Sequence, residues 1–573
     1  MLLGFGNPKS ANYSSQVMRN FALNCAGVSA ESPKFSNSFI DGNNMPAEFT
    51  PTQQEAILSG LSPGLTMIVG PPGTGKTDTA TAIIGNLYKN NPTQRTLIIT
   101  HSNAALNDIF EKLLLREDID ERHILRLGRG ESNLSVSSTH DFTKSGRVDW
   151  CLARRLELLN KVSEISESMG VSSFAQRGPN GESSYTCETA GYFYKQHNLA
   201  LAKHRELFEE IEEFRPFELL RGASQRGDLL LTKQARIIAM TATHASLVRA
   251  KLVKVGFSYD NLVVEEAAQM LDVETFVPLV MQKANVGESP RLKRVCLIGD
   301  HNQLPPVVKN LAINRFSNFS QSLFTRLIQL GATAVHLDVQ GRSRPEIAEL
   351  YNWRYENLGN LERKNSDEML LANAGFAHVQ QFINVEDYRG VGESSPSPHY
   401  YQNVGEAEMI VSTFLFMCLI GYDPNRISIL ATYNGQADLI RDVLNHRAGA
   451  RRPRTVSTVD QFQGQQNDYI LLSLTRSKSI GFMRDVRRMI VALSRARLGC
   501  YIFGRRQLFK DEIELAKCFE KMVGFQVGEG LDIVSGEFFG KVTRKASDKG
   551  GSSNVAIVKD IDTMNQLVAS MGA

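Results

Sequence analysis

The sequence of 573 residues has few cysteines, no long apolar run and almost no excess of charge. Its seven cysteines are scattered without a C-x-x-C pair, which argues against a disulfide framework and a zinc module and predicts a reducing compartment. The most apolar window, 414–420, is far shorter than the roughly 20 residues that a membrane helix needs. The start, MLLGFGNPKSANYSS, lacks the features of a signal peptide. We therefore expect a soluble, intracellular protein.

The composition is that of an ordinary globular protein, with 42% hydrophobic and 22% charged residues. The chain is too long for one hydrophobic core, so several domains are expected. A net charge of +3 permits a nucleic-acid partner without demanding one, because a local groove can be basic while the whole protein is nearly neutral.

The stretch 65–77, LTMIVGPPGTGKT, joins a short apolar run to the full pattern G-x-x-x-x-G-K-[ST]. The apolar run predicts a buried strand. The glycines of the motif that follows allow backbone N–H groups to turn inward around a polyphosphate. In this pattern Lys76 would reach the β- and γ-phosphates, and the Thr77 hydroxyl would bind Mg²⁺. A chance glycine-rich turn is the weaker reading, because a strand precedes the motif and a helical pattern follows it.

Two carboxylates, Glu265 and Glu266, come directly after a second apolar run, 261–264. Downstream of a P-loop, one acid of such a pair holds Mg²⁺ and the other orients and deprotonates the attacking water. The alternative is an exposed helix start that favours acids through its dipole. After a further apolar run, 294–298, Gln303 would lie where an amide can sense a γ-phosphate.

Strands and helices alternate along most of the chain, which predicts an α/β fold with two doubly wound parallel sheets. We divide the chain into a partly disordered lead-in, a first domain in two pieces, an inserted helical subdomain, a second domain and a C-terminal extension. Their bounds are 1–45, 46–131 with 231–330, 132–230, 331–525 and 526–573. The second domain is predicted to contain strands at 334–339, 427–431, 469–474 and 500–503.

Two arginines of the second half, Arg342 and Arg495, stand in the segments VQGRSR and VALSRAR. An arginine of one domain can reach a phosphate bound by another and stabilise charge in the transition state. Taken alone, each is more often a surface or salt-bridge residue.

The order of these motifs resembles that of the superfamily-1 helicases of the nonsense-decay type, over residues 49 to 510. It resembles most closely their spliceosomal, intron-binding branch, through long stretches outside the motifs. These include THSNAALNDIFEK at 100–112, SYTCETAGYF at 184–193, YNWRYENLGNL at 351–361, NVEDYRGVGES at 384–394 and DQFQGQQNDYILLSL at 460–474.

The resemblance implies two tandem RecA-like P-loop NTPase domains with ATP and Mg²⁺ between them and single-stranded RNA crossing both. It assigns catalysis to Lys76, Glu266, Gln303, Arg342 and Arg495. It assigns nucleotide binding to Gln53, Gly70, Pro71, Pro72, Gly73, Thr74, Gly75, Lys76, Thr77, Gln340 and Gln466. The metal would be held by Thr77 and Glu265, and RNA by Ser102, Asn103, Thr243, Thr432 and Thr458.

Three positions depart from the family pattern. Glu265 replaces an aspartate, and Gln466 replaces a glutamate. Gly341 replaces an aromatic residue that stacks on adenine, which predicts loose base selectivity. The armadillo-type repeats that accompany this branch do not precede residue 49, so we expect the chain to correspond to the motor region.

We therefore expect an ATP-dependent RNA helicase or translocase that acts on intron pre-mRNA in the nucleus, as a monomer among spliceosomal proteins. Two alternatives stay open. One is a related helicase that acts on other RNA or on DNA–RNA hybrids. The other is a scaffold that binds nucleotide and RNA with negligible turnover.

Overall fold

The computed structural model describes residues 38–40, 46–128, 141–168, 202, 205–282, 291–308, 310–362, 367–524, 528–546 and 555–572. Most of the predicted lead-in, 1–45, lies outside this set. Its described part is the strand β1 (Ser38–Ile40), which pairs antiparallel with β2 (Pro46–Glu48).

The first domain is built on a parallel sheet of seven strands in the order β5-β6-β4-β7-β8-β3-β9. These strands are β3 (Gly64–Val69), β4 (Thr96–Thr100), β5 (Ile124–Arg126), β6 (Ile237–Thr241), β7 (Asn261–Glu265), β8 (Arg294–Gly299) and β9 (Val335–His336). Their side chains alternate between two hydrophobic clusters, so that Met67 faces one and Ile68 the other. A sheet covered on both faces explains why these strands read as continuous apolar runs.

The predicted helical insertion packs onto the first sheet. Its described helices are Lys144–Ser168 and 205–219. Cys151, Leu158 and Phe214 belong to the same hydrophobic cluster as Met67 of β3. The insertion therefore shares the core of the first domain.

The prediction that 334–339 forms a strand of the second sheet is wrong. Val335 and His336 pair in parallel with Ile68 and Val69, at the edge of the first sheet. Alternation of apolar residues shows that a strand is present but does not show which sheet it joins. The chain leaves the first sheet only after His336, and Val339–Gln340 (β10) pairs with Gly359–Asn360 (β11).

The second domain has a parallel sheet of five strands in the order β12-β18-β17-β15-β16, and an antiparallel pair, β13 and β14, beside it. The strands are β12 (Gln380–Asn384), β13 (Glu393–Ser397), β14 (Tyr400–Asn403), β15 (Ile427–Ala431), β16 (Thr455–Thr458), β17 (Asn467–Ser473) and β18 (Ala496–Gly504). Hydrophobic clusters again cover both faces, with Ile429 on one side and Leu430 on the other.

The predicted C-terminal extension is part of the second domain. Its strands β19 (Leu531–Val534) and β20 (Val555–Val558) form an antiparallel pair. Leu531, Val558 and Met564 join the hydrophobic cluster that also contains Ile429. The segment is an element of the core because its apolar side chains complete one face of the sheet.

The helices of the described chain occupy both faces of the two sheets. Besides the insertion, the α-helices are Pro51–Leu61, Lys76–Asn90, Asn103–Leu114, Ala223–Leu229, Ala242–Lys254, Asp272–Leu279, Leu311–Phe316, Leu323–Gln329, Pro345–Ala348, Asp367–Leu370, Val404–Leu419, Asn434–Arg447, Val486–Leu493, Arg506–Lys510, Ala516–Val523 and Ile561–Gly572, with a π-helical turn at Leu230–Gln234. None of the helices within the described residues combines the length and the hydropathy that a transmembrane segment requires.

Candidate nucleotide and nucleic-acid site

The carboxyl ends of the parallel strands gather the predicted site residues at one edge of each sheet. In the first domain the P-loop follows β3, Ser102 follows β4, Glu266 follows β7 and Gln303 follows β8. Open parallel sheets bind ligands at this edge. The second domain presents its own carboxyl edge, with Thr432 after β15 and Thr458 at the end of β16.

The P-loop closes around its own lysine. Gly73 and Gly75 have φ of 79° and 75°, which favours glycine. The Lys76 ammonium donates to the carbonyl oxygen of Gly70 at 2.6 Å and to that of Pro71 at 3.2 Å. A Cβ on Gly70 would lie 2.3 Å from Cγ of Lys76, so the glycine leaves the space that the lysine occupies. The cradle fits a phosphate group, which would draw the ammonium away from these neutral oxygens.

Gln53 fastens the P-loop to the preceding helix. Its amide nitrogen donates to the Thr74 carbonyl at 2.9 Å. Its amide oxygen accepts from the Thr50 backbone, completing a capping box in which the Thr50 hydroxyl accepts from the Gln53 backbone. Both ends of the amide are thus engaged within the protein, whereas the resemblance implied a contact of Gln53 to the nucleotide.

Three cations converge beside the P-loop. Burial lowers the pKa of Lys76 to about 8, and Arg342 and Arg495 lower it further while Asp300 opposes them. Burial also lowers the pKa of Arg495 to about 9, with Arg342 as the next cause. Arg495 donates to the carbonyls of Val491 and Gln465. The three groups are close enough to repel one another, and a bound anion would relieve that repulsion.

Thr77 and Glu265 are in direct contact, with the Thr77 hydroxyl donating to Oε1 of Glu265 at 2.6 Å. Burial raises the pKa of Glu265 to about 8, and the neighbouring Glu266 raises it too. Within the described residues, no cluster of three or more His, Cys, Asp or Glu side chains could hold a metal ion. The hydroxyl of Thr77 and the carboxylate of Glu265 are oxygen ligands, and together they fit a hard cation whose remaining ligands are phosphate oxygens and water.

Glu266 has a left-handed backbone, with φ 56° and ψ 32°, which is uncommon for a residue other than glycine. Burial raises the pKa of its carboxyl, while His101 acts to lower it. A Cβ on Gly464 would lie 3.6 Å from Oε1 of Glu266, so a loop of the second domain closes over this carboxylate.

Gln303 lies between the two domains. Its amide nitrogen donates to Oδ2 of Asp300 at 2.6 Å, and its oxygen is 3.4 Å from Nη2 of Arg495. The same Asp300 oxygen accepts from the hydroxyl of Tyr355, a residue of the second domain, at 2.7 Å. Leu304 also joins a hydrophobic cluster of the second domain.

Gln340 supports Arg342. Its amide oxygen accepts from the backbone N–H groups of Arg342 and Ser343, both at 2.9 Å, so its side chain holds the turn. The Arg342 guanidinium donates to the Ser494 carbonyl, and burial lowers the pKa of the group. The Gly341 backbone donates to the Gly73 carbonyl at 2.9 Å, which joins this turn to the P-loop.

The five predicted RNA contacts differ in accessibility. Asn103 and Thr243 are exposed, whereas Ser102 caps its helix by accepting from the Ala105 backbone. The Thr432 hydroxyl donates to the Leu474 carbonyl, and Thr458 is largely buried. All five lie at carboxyl strand ends of the two sheets, and the structure leaves Asn103 and Thr243 the most open to a strand.

A cavity of about 930 Å³ runs between the domains from Glu266 to Phe482. Ser102 lines it from the first domain and Gln463 from the second. Nε2 of Gln463 is buried and has no hydrogen-bond partner within the described structure. The predicted nucleotide contact Gln466 is exposed, three residues further along the same loop.

Several residues of the site carry no motif signal in the sequence. Tyr355 lies in the off-motif segment 351–361, and its bond to Asp300 depends on how the domains meet. The close approach of Gly73 to Arg342 also depends on how the domains meet, because the two residues belong to different domains. Spacing within one chain segment cannot reveal contacts of this kind.

Two AAA-domain family models match the chain, one over residues 48–311 and the other over residues 319–507, which together are well over half of its length. RNA helicase aquarius of Mus musculus is 47% identical over 91% of this chain and 39% of that protein. The chain belongs to the superfamily-1 helicases. The predicted family and the tandem α/β fold are thereby confirmed.

Two further relatives of this superfamily-1 helicase are more distant. Pre-mRNA-splicing factor cwf11 of Schizosaccharomyces pombe is 26% identical over 94% of this chain and 44% of that protein. A regulator of nonsense transcripts 1 homolog of Arabidopsis thaliana is 28% identical over 87% of this chain and 37% of that protein. The chain thus spans less than half the length of these curated relatives.

Proposed function

We propose that this chain is the motor of an ATP-dependent RNA helicase or translocase that acts on intron pre-mRNA within the spliceosome, in the nucleus. The observation that carries the proposal is the convergence of Lys76 of the first domain with Arg342 and Arg495 of the second. Positive charge from two domains around one phosphate site makes hydrolysis depend on how the domains are arranged. That dependence is what a motor needs.

The residues at the site have separate roles in this proposal. Lys76 and the P-loop N–H groups bind the phosphates, and Thr77 with Glu265 holds Mg²⁺, which when bound neutralises charge on the phosphate oxygens. Glu266 takes the proton of the attacking water, since its raised pKa makes the carboxylate a stronger base. Arg342 and Arg495 stabilise negative charge from the other side of the cleft.

An RNA strand is proposed to cross both carboxyl edges, over Asn103 and Thr243 of the first sheet and Thr432 of the second. Hydroxyl and amide groups bound to phosphate oxygens position a strand without reading its sequence. The names of two relatives, RNA helicase aquarius and pre-mRNA-splicing factor cwf11, support RNA and splicing as the setting. Spliceosomal proteins would be the partners of a chain acting there.

The roles of the two arginines can be tested with matched lysine variants. We expect Arg342→Lys and Arg495→Lys to lower kcat at least about 100-fold, because lysine keeps the charge but loses the planar fork. Arg497→Lys is the control, since Arg497 lies two residues from Arg495 and pairs with Asp468. Equal losses in all three variants would contradict a specific role at the nucleotide.

The substrate can be tested by measuring hydrolysis with single-stranded RNA, single-stranded DNA and DNA–RNA hybrids. We expect RNA to stimulate hydrolysis most, and we expect tagged protein to co-purify with spliceosomes that carry intron. Stimulation by hybrids above RNA would favour a helicase for other substrates. Negligible turnover with every nucleic acid would favour a scaffold.

A further inference from the structure

A hydrogen bond crosses the boundary between the two domains at Tyr355 and Asp300. Asp300 directly follows β8 of the first sheet. Tyr355 lies between β10 and β11, and it packs against the second-domain cluster that contains Tyr351 and Leu358. The Tyr355 hydroxyl donates to Oδ2 of Asp300 at 2.7 Å. Each partner is thus fixed to a different domain.

The chemistry of the groups fixes the direction of every bond around Asp300. An ionised carboxylate only accepts, so both Tyr355 and the Gln303 amide nitrogen must donate to it. Burial, followed by the Asp300 charge, raises the pKa of Tyr355 well above its ordinary value, so the hydroxyl keeps its proton. With its nitrogen held at 2.6 Å from Asp300, Gln303 must turn its oxygen toward Arg495.

These contacts form a chain of four side chains that passes from the second domain to the first and back. It runs from Tyr355 through Asp300 and Gln303 to Arg495. Asp300, Gln303 and Arg495 are each less than 10% exposed, so water competes little for these bonds. A movement of the second domain at Tyr355 would therefore change the orientation of the Gln303 amide.

We propose that Tyr355 is a positioning residue that holds Asp300 from across the domain boundary and, through Asp300, orients Gln303 toward Arg495. The inference rests on the proposed function, because it gives Tyr355 a part in coupling domain arrangement to hydrolysis. Tyr355 makes no contact with the P-loop in this chain of bonds. Its effect is transmitted through a neighbour.

The test is Tyr355→Phe, which removes one hydroxyl and keeps the ring in its cluster. Tyr400→Phe is the matched control, because the Tyr400 hydroxyl also donates to a carboxylate, Asp438, at 2.7 Å. Both partners of that bond lie in the second domain. The two variants lose the same kind of bond, and only one of these bonds joins the domains.

We expect Tyr355→Phe to lower the RNA-stimulated kcat about tenfold, the size expected for a hydrogen bond to a charged group. The KM for ATP should change less than about twofold, because the phosphate cradle is intact. Tyr400→Phe should leave both constants near the parental values. An unchanged kcat for Tyr355→Phe, or an equal fall in both variants, would overturn the proposal.

Action through Asp300 can be separated from a direct effect by a double-mutant cycle. If Tyr355 works through this carboxylate, adding Tyr355→Phe to Asp300→Asn should cost less than about twofold further in kcat. A further tenfold loss in the double variant would show that Tyr355 acts by another route and would overturn the proposal.

A second measurement does not depend on RNA. Amide hydrogen exchange over residues 299–306 should be faster in Tyr355→Phe than in the parent, and unchanged there in Tyr400→Phe. If the parent shows no RNA-stimulated hydrolysis, the proposed function fails, and exchange alone decides the inference. Unchanged exchange at 299–306 in Tyr355→Phe would overturn it.

Discussion

Gly73 of the P-loop lies so close to Arg342 of the second domain that a Cβ on Gly73 would be 2.7 Å from the Cβ of Arg342. Real Cβ atoms essentially never approach a neighbour at that distance. The Gly73 carbonyl also accepts from the Gly341 backbone at 2.9 Å. The phosphate cradle and the turn that carries Arg342 therefore touch directly, and the position of one restricts the other.

The first prediction is that Gly73→Ala displaces Arg342 and lowers kcat more than tenfold. The control is Gly256→Ala, because Gly256 has φ of 78°, against 79° for Gly73, and nothing within 4 Å of the added Cβ. The backbone strain of about 1–2 kcal/mol should be similar in the two variants. Steady-state hydrolysis and thermal unfolding of both would check this, and equal activities would contradict it.

The second prediction concerns Lys76 and Glu266. Lys76→Ala should abolish hydrolysis through lost phosphate binding. Glu266→Gln should lower kcat by about 100-fold or more while nucleotide binding is retained, because the amide keeps the shape but cannot take a proton. Binding of a fluorescent nucleotide beside steady-state hydrolysis separates the two. Parental hydrolysis by Glu266→Gln would refute the assignment of the base.

The third prediction concerns base selectivity. With glycine at position 341 and both ends of the Gln53 amide engaged within the protein, GTP and CTP should replace ATP with modest loss. Gln53→Ala should then lower hydrolysis of ATP and GTP by the same factor, since its bond to Thr74 supports the P-loop. Hydrolysis of each nucleotide by parent and variant is the measurement. A loss confined to ATP would show that Gln53 contacts the base.

The strongest features of the fold and of the site could be predicted from the sequence. The P-loop and the acids 265–266 each follow a run of apolar residues. Such a run can be recognised in the sequence because a strand buried on both faces is apolar along its whole length. The strand β12 was missed because it begins with two glutamines. Gln381 is fully buried and exchanges hydrogen bonds with the Asp532 backbone at 2.8 and 3.0 Å, a partner 151 residues away.

A buried carboxylate in the second domain offers a test of stability against pH. Oε2 of Glu406 accepts from the Ser473 hydroxyl at 2.6 Å and from the Thr475 backbone at 2.8 Å. Burial is the largest cause that raises its pKa, from about 4.5 to about 8, against these two bonds. The folded protein therefore keeps a proton on Glu406 that the unfolded chain releases above pH 4.5.

The fourth prediction follows from the sign of that shift. The stability that Glu406 contributes is complete below about pH 4.5 and is lost as pH rises toward 8, at up to about 1.4 kcal/mol per pH unit. Glu406→Gln removes this dependence. The free energy of unfolding of the variant, relative to that of the parent, should therefore be higher at pH 8 than at pH 5.5. Urea unfolding at both pH values is the measurement, and a constant difference would contradict the prediction.

Leu304, on the loop after β8, is only 6% exposed because it is buried in the second domain's hydrophobic cluster. If the domains separated there, this side chain would return to water, and exposing a leucine costs roughly 1.5–3 kcal/mol of free energy. That is about one to two powers of ten in the ratio of joined to separated molecules. Leu304 thus contributes a limited part of the free energy that holds the two domains together at this loop, a part small enough for a ligand of micromolar affinity to offset.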